Sequence, residues 1–148
     1  MKKVLFLLIA CLLLTGCGMK YPDLPENPIA FEAGNYTYND DEGYMTIEYN
    51  GRTYMPYGTQ KGIMQTSDID KCIGYIIQDE NISSVVDLTN KDTRIYTLTD
   101  DKDNNYLLEY YVASELMNNP TFWRATDTRG KKIHTPKIID SLGYDYWK

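Results

Sequence analysis

Cysteine and histidine are scarce in this sequence, and basic residues are fewer than acidic ones. The 148 residues include three cysteines and one histidine, with 15 Lys and Arg against 21 Asp and Glu, which gives a formal charge of −6. So few cysteines exclude a disulfide framework. The acidic balance excludes nucleic acid as a partner held by a general electrostatic field. The sequence also lacks a Gly-rich phosphate loop, a nucleophile elbow and an HExxH motif.

The sequence lacks an apolar run long enough to span a membrane as a permanent helix. Its longest one, residues 4–14, would form a helix of roughly 16 Å, about half the thickness of a bilayer core. Lys2 and Lys3 precede this run, and small residues follow it. A basic start, a short apolar segment and small residues are typical of a secretory signal. We predict that residues 1–16 form a removable signal peptide.

The end of this segment resembles the lipobox of bacterial lipoproteins. That signal reads Leu, a small or hydroxylated residue, Gly or Ala, and then Cys, as does Leu14-Thr15-Gly16-Cys17. The resemblance implies that Cys17 becomes the first residue of the mature protein and carries a diacylglyceryl group. Because two acyl chains suffice for stable anchoring, it implies a lipid-anchored protein on the extracytoplasmic face of the cell membrane.

One thiol remains in the mature chain after this processing. Cys11 leaves with the signal and Cys17 is acylated, so Cys72 has no partner for an intramolecular disulfide. Apolar residues at positions 73–77 surround Cys72 in the sequence and predict a buried, inert thiol. One histidine cannot complete a zinc site with an acylated and a buried cysteine, and we expect no metal or other cofactor.

A proline-rich stretch separates the lipid from the domain. Residues 17–28 contain Pro22, Pro25 and Pro28 with polar residues between them, which predicts a semi-rigid tether. The remaining residues, 29–148, are enough for one domain with one core. We therefore divide the chain into a signal peptide, a lipidated tether and a single folded domain.

The domain is predicted to be mainly β. Asn50-Gly51 lies between two alternating runs and predicts a type I′ hairpin that pairs Tyr49 with Arg52 and Ile47 with Tyr54. Other predicted strands are 74–78, 84–86, 94–99, 106–112 and a last hairpin of 122–125 with 131–133, and helical turns are predicted at 67–70, 114–118 and 138–142. These elements favour a small antiparallel sheet, half-barrel or sandwich of about seven or eight short strands with two or three short helical turns.

Aromatic and basic residues are concentrated near the carboxyl terminus. Tyrosine suits recognition surfaces because it offers large contact area at low entropic cost, and the chain has 14 tyrosines against three phenylalanines. The candidate binding residues combine aromatic patches with a basic hairpin: Trp123, Arg124, Arg129, Lys131, Lys132 and Trp147. Core packing of the aromatic patches and an ordinary solvated hairpin are the alternatives that the sequence leaves open.

An acidic segment matches part of a calcium-binding loop. Residues 101–105 supply oxygen-bearing side chains at the first, third and fifth positions of an EF-hand-like loop. The glycine position holds Tyr106 and the bidentate glutamate position holds Val112, so the match fails where the loop needs it most. We expect a solvated hairpin loop there.

The pattern of the whole domain resembles small uncharacterised lipoproteins of Gram-positive bacteria. The suggestive segments are residues 54–58 (YMPYG), 72–76 (CIGYI), 122–125 (FWRA) and 141–144 (SLGY). None of these segments has a known chemistry, so the resemblance implies a class of protein and no activity. We predict a membrane-anchored, non-enzymatic binding or interaction module whose partner is a protein, a peptide or a cell-wall polymer.

Two alternatives remain open at this point. The first is a surface self-protection lipoprotein of the immunity or inhibitor type, which the size, anchor and acidity of the chain suit. The second is a small cell-envelope hydrolase in which His134 pairs with Cys72 or forms a triad with Asp140 and Ser141. No motif around these residues supports the hydrolase.

Overall fold

A computed structural model describes residues 20–38, 42–77, 91–113, 119–144 and 147 of the chain. Within these ranges it contains eight strands, three single 3-10 turns and no α-helix. The strands are β1 (Ile29–Glu32), β2 (Gly34–Tyr38), β3 (Glu42–Tyr49), β4 (Arg52–Thr59), β5 (Ile69–Ile77), β6 (Thr93–Leu98), β7 (Tyr106–Tyr111) and β8 (Thr121–Ala125). The 3-10 turns are Thr66–Asp68, Thr126–Thr128 and Lys137–Ile139. The mainly β prediction is confirmed.

Seven of the strands form a mixed sheet that is nearly closed into a barrel. Their order is β1-β5-β6-β7-β8-β4-β3, and β2 extends the sheet at the far edge of β3. All neighbours are antiparallel except β1 and β5, which are parallel. Residues 29–38 explain the exception, because this one segment pairs with β5 through β1 and with β3 through β2. It therefore bridges the two ends of the sheet.

The predicted β3–β4 hairpin is confirmed in its register. Tyr49 pairs with Arg52 and Ile47 pairs with Tyr54. The turn residues Asn50 and Gly51 have φ angles of 51° and 72°, as a type I′ turn requires. This local element thus follows directly from the Asn-Gly signal.

The sheet buries an apolar cluster on each of its two faces. The cluster inside the barrel contains only strand residues: Phe31, Ile47, Tyr54, Ile73, Ile76, Ile95, Leu107, Trp123 and Ala125, with Tyr49 at its margin. The cluster on the outer face includes Tyr57, Tyr96, Tyr106, Phe122 and Trp147, and segments outside the strands cover it. Side chains of β8 alternate between the two clusters, because successive residues of a strand point to opposite faces.

The predicted final hairpin is wrong in its second strand. Residues 131–133 are irregular, and a 3-10 turn at Thr126–Thr128 follows β8 instead. The reason is that β8 already pairs with β4 on one edge and with β7 on the other, so it has no free edge for a further partner. The segment crosses the outer face, where Ile133 packs against the core.

Two predicted boundaries also shift. Strand β5 begins at Ile69 and not at Gly74, so the predicted helical turn is confined to Thr66–Asp68. The folded domain begins upstream of Ile29, because the hydroxyl of Tyr21 donates a hydrogen bond of 3.1 Å to the carbonyl oxygen of Met64. The predicted tether is shorter by that part. The predicted elements at 1–19, 84–86 and 114–118 lie outside the described residues.

Candidate functional site

One opening described in the structure lies where the barrel fails to close. It is a cleft of about 440 Å³ between β1 and β3, which we call the β1–β3 cleft, and its lining residues are Ile29, Ala30, Phe31, Glu32, Ala33, Gly34, Thr46 and Glu48. Neighbouring strands of a closed sheet lie about 4.8 Å apart and leave no cavity between them. The cleft therefore marks a place where two strands have separated.

Register explains why the strands separate there. Gly34 pairs with Thr46, and a Cβ atom on Gly34 would lie only 2.9 Å from the hydroxyl oxygen of Thr46, so the strands are in close contact at this point. Continuing the same register by two residues would set Glu32 directly opposite Glu48. Like charges at directly opposed positions destabilise a strand pair. The two chains diverge at that step, and each glutamate stays exposed on its own wall.

Within the described ranges, neither wall of the cleft has a partner strand along the edge that faces the opening. Strand β1 pairs with β5 along one edge and is the last strand of the sheet on its side. In β3, residues 47–49 pair with β4, while β2 pairs only with residues 42–46. Main-chain donors and acceptors of both strands thus face the cleft, which is the arrangement that accepts an added strand.

No pattern in the sequence indicates this cleft. Its walls contain none of the six residues that were predicted to bind, and its two glutamates are related only through a long-range strand register. The one available signal was that Glu32 and Glu48 lie in two edge strands. Only the pairing of Gly34 with Thr46 shows that these two strands are neighbours.

The predicted binding residue Arg124 is buried in an aromatic cluster on the outer face. Its guanidinium carbon lies 4.9 Å from a ring centroid of Trp147, 5.6 Å from that of Tyr57 and 5.7 Å from that of Tyr106. The same guanidinium donates hydrogen bonds to the hydroxyl and carbonyl oxygens of Thr128, at 2.8 and 3.0 Å. We call these five residues the Arg124 cluster. Stacking and hydrogen bonds within the fold stabilise the buried guanidinium.

Trp123 is placed on the opposite face of the sheet, inside the barrel. It is 1% exposed, and its indole N–H donates a hydrogen bond of 2.9 Å to the carboxylate of Glu109. Burial raises the pKa of Glu109, and the hydrogen bond from Trp123 partly opposes that rise. The six predicted binding residues therefore do not form one surface, and core packing describes Trp123, Arg124 and Trp147.

The other three predicted binding residues lie at or near the surface beside the Arg124 cluster. Lys131 and Lys132 are exposed, and Arg129 is half-buried with its guanidinium 5.9 Å from a ring centroid of Trp147. The turn that precedes them is fixed by Asp127, which accepts a hydrogen bond of 2.8 Å from Arg52. Arg52 holds the pKa of Asp127 below its usual range. We call Arg129, Lys131 and Lys132 the basic rim. None of them lines a described cavity.

The calcium-like segment 101–105 forms a tight loop in which the first carboxylate, that of Asp101, accepts a hydrogen bond from the backbone at the end of the loop. Asp101 is 3% exposed and accepts a hydrogen bond of 2.6 Å from the backbone N–H of Tyr106. The loop is also held from outside, since Arg52 donates to the carbonyl oxygens of Asp103 and Asn104 at 2.9 and 3.1 Å. Among the described residues, no group of three or more His, Cys, Asp or Glu side chains is placed to hold a metal ion.

The residues of the hydrolase alternative have separate partners. Cys72 is 5% exposed, its thiol contacts the carbonyl oxygen of Gly74 at 3.6 Å, and burial raises its pKa. His134 forms an exposed pair with Asp100, with 3.2 Å between its Nε2 atom and the carboxylate. A buried thiol with a raised pKa stays protonated and is a poor nucleophile. The prediction of a buried Cys72 is confirmed.

Comparisons with known proteins add no further constraint on this site. No protein-family model matches the sequence, no curated protein is similar to it, and no solved structure matches the fold. Along the described parts of the chain, no helix is both long and apolar enough to cross a membrane.

Proposed function

We propose that this chain is a lipid-anchored binding module on the extracytoplasmic face of the cell membrane, and that it binds its partner at the β1–β3 cleft. The lipobox-like residues that end in Cys17 support the anchor. The cleft is the single observation that carries the binding function. Its volume of about 440 Å³ lies within the 300–1,000 Å³ typical of ligand sites.

A binding role fits the chemistry of the cleft better than catalysis does. Its lining offers two carboxylates, one hydroxyl and otherwise small or apolar side chains. The groups considered for hydrolysis have other contacts, because Cys72 is buried and His134 pairs with Asp100. We therefore propose that the protein is not an enzyme and that it acts by holding a partner near the membrane.

Site-specific photo-crosslinking in intact producing cells tests this function. A benzophenone amino acid replaces Ile29, which is 41% exposed on the cleft wall, or Ile63, which is 39% exposed and does not line the cleft. We expect a specific adduct from position 29 that is several-fold weaker from position 63. Equal adducts from both positions, or none from position 29, would contradict a binding site in the cleft. The identity of the adduct would separate a self-protection lipoprotein from other binding modules.

The anchor is tested separately in the same cells. Cys17→Ala removes the thiol that lipid transfer requires, so we expect the variant to leave the membrane fraction or to accumulate as uncleaved precursor. Membrane retention and detergent partitioning are compared with those of Cys72→Ala, a matched loss of one thiol. Unchanged lipid-type partitioning of Cys17→Ala would contradict the lipoprotein proposal and leave the cleft proposal standing.

A further inference from the structure

We infer that the β1–β3 cleft takes an extended basic peptide segment, which adds as a strand between β1 and β3. This inference rests on the proposed function and gives the partner its chemical class. Three features of the cleft carry it: two strand edges without a partner strand among the described residues, one carboxylate on each wall, and the contrast in β1 between buried Phe31 and exposed Glu32.

The strand edges supply the main-chain part of the recognition. A segment between β1 and β3 would hydrogen-bond to β1 on one side and to residues 47–49 on the other. Its entry requires β1 and β3 to move apart to the width of a strand, which separates the rings of Phe31 and Tyr49, whose centroids now lie 6.4 Å apart. Addition of a peptide strand to a free edge is a known mode of recognition in which main-chain hydrogen bonds supply affinity. The added strand would complete the closure of a barrel that is already nearly closed.

The two glutamates supply the charge preference. Glu32 and Glu48 lie on opposite walls and are both exposed. No ion pair with a basic residue is recorded for either glutamate within the described ranges. Pairing of β1 with β3 in the register of Gly34 and Thr46 would set these two carboxylates opposite each other, whereas a lysine or arginine between them would make two attractions. An acidic segment would add a third negative charge, so the cleft discriminates by charge as well as by shape.

Side-chain alternation predicts the residue pattern of the peptide that binds. In β1, Phe31 is 2% exposed and points into the barrel, while Glu32 points out. A strand beside β1 follows the same alternation, because side chains of paired residues share a face. Its outward residues would meet Glu32 and Glu48, and its inward residues would meet an interior that Phe31 and Ile47 already fill. The partner segment therefore alternates basic residues with small apolar ones.

The length of the cleft sets the size of a probe. The wall from Ile29 to Ala33, before Gly34 pairs with Thr46, is five residues long, about 17 Å in an extended strand, so a hexapeptide covers it. The probe is the acetylated and amidated hexapeptide Lys-Val-Lys-Val-Lys-Val. Its first control, Lys-Val-Lys-Pro-Lys-Val, keeps the charge and removes one N–H donor, and its second control, Glu-Val-Glu-Val-Glu-Val, reverses the charge.

Binding of the three peptides to the full chain in neutral detergent micelles tests the inference. We expect the lysine–valine peptide to bind at least tenfold more tightly than either control. On binding, amide hydrogen exchange at residues 29–32 and 47–49 should slow at least tenfold. If the proline peptide binds equally well, or if protection appears only elsewhere, the inference of strand addition is overturned.

A pair of variants with equal charge change completes the test. Glu32→Gln with Glu48→Gln should weaken binding at least fivefold, whereas Glu26→Gln with Asp140→Asn, which removes two exposed acids outside the cleft, should leave binding within twofold. Equal weakening by both pairs would mean general attraction to an acidic surface and would overturn the inference. If no peptide binds while the adduct from position 29 forms, this inference fails and the proposed function stands.

Discussion

Charged side chains are exposed in the β1–β3 cleft and buried in the Arg124 cluster. In the cleft, Glu32 and Glu48 lie on opposite walls and remain exposed. In the cluster, one guanidinium is 8% exposed, stacks on three aromatic rings and is hydrogen-bonded to Thr128. In the first region the charged side chains border strands that are not paired with each other. In the second region the charged side chain makes contacts that stabilise the fold.

This difference separates binding from stability in the molecule. A concentration of basic and aromatic residues in the sequence is typical of a recognition surface, yet here its central members are core residues. An acidic strand edge has no such signature, yet it borders the β1–β3 cleft. Variants of the two regions should accordingly affect different measurements.

The largest expected effect is on stability, at the buried tryptophan that was predicted to bind. Trp123→Ala removes a large buried ring and leaves the carboxylate of Glu109 without its indole donor, so we expect a loss of about 3–5 kcal/mol in the free energy of unfolding. Chemical denaturation measures it. The control is Lys131→Glu with Lys132→Glu, which should change stability by less than about 0.5 kcal/mol. A loss of similar size in both would contradict the division into core and rim.

The next largest effect is expected at the glycine that lets β1 approach β5. A Cβ atom on Gly74 would lie only 2.0 Å from the carbonyl oxygen of Ile29, so Gly74→Ala must displace β1. We expect a loss of about 1–3 kcal/mol in the free energy of unfolding, together with loss of lysine–valine peptide binding.

Another strand glycine gives a matched control for that variant. A Cβ atom on Gly43 would meet nothing within 4 Å, so Gly43→Ala should be nearly neutral in stability and binding. If Gly74→Ala bound the peptide normally, β1 would not form a wall of the site.

A smaller effect is expected in the pH dependence of stability. Burial raises the pKa of Glu109 above the ordinary value of about 4.3, so the folded state takes up a proton more readily than the unfolded state. The contribution of Glu109 to the free energy of unfolding is therefore most favourable at a pH below the ordinary pKa of a glutamate. It is lost as the pH rises through the raised pKa of Glu109 in the folded state.

Glu109→Gln tests this assignment, because it keeps an acceptor for Trp123 and removes the titration. At pH 7 we expect the variant to exceed the wild type by roughly 1 kcal/mol in the free energy of unfolding, and the difference to vanish below about pH 4. Denaturation curves across this pH range measure it. A constant difference at every pH would contradict the assignment to Glu109.

The smallest stability effect is expected in the cleft itself. Glu32→Gln with Glu48→Gln relieves repulsion between opposed charges, which should stabilise the fold by about 0.2–1 kcal/mol at low salt and by less at high salt. The same variant should weaken peptide binding. A region that gains stability and loses binding on one change would stand in clear contrast to Trp123, where only stability should fall. Loss of stability in the double variant would contradict repulsion as the cause of the opening.

Local features of the fold were predictable from the sequence, and long-range ones were not. The β3–β4 hairpin is correct because Asn50-Gly51 determines both the turn and the register next to it. The parallel pairing of β1 with β5 joins segments far apart in the chain, and no local pattern indicates it. The second strand of the last hairpin was wrong because the pattern could not show that both edges of β8 were taken.

The candidate site depended on the same long-range information. The sequence placed Arg124 in a basic, aromatic segment, but only the fold brings Trp147 and Tyr57 against it. Likewise, Glu32 and Glu48 are ordinary surface residues until the pairing of neighbouring strands sets them across one opening. Residue types therefore favoured a binding protein as a prediction, while the position of the proposed site required the sheet.

The most direct test of the account compares the two regions in one experiment. The adduct formed from position 29 in intact cells is measured in two backgrounds, Glu32→Gln with Glu48→Gln, and Lys131→Glu with Lys132→Glu. If the β1–β3 cleft is the working surface, the first background should reduce the adduct at least fivefold and the second should leave it unchanged. Loss of the adduct in the lysine background, with normal yield in the glutamine background, would contradict the account and assign binding to the basic rim.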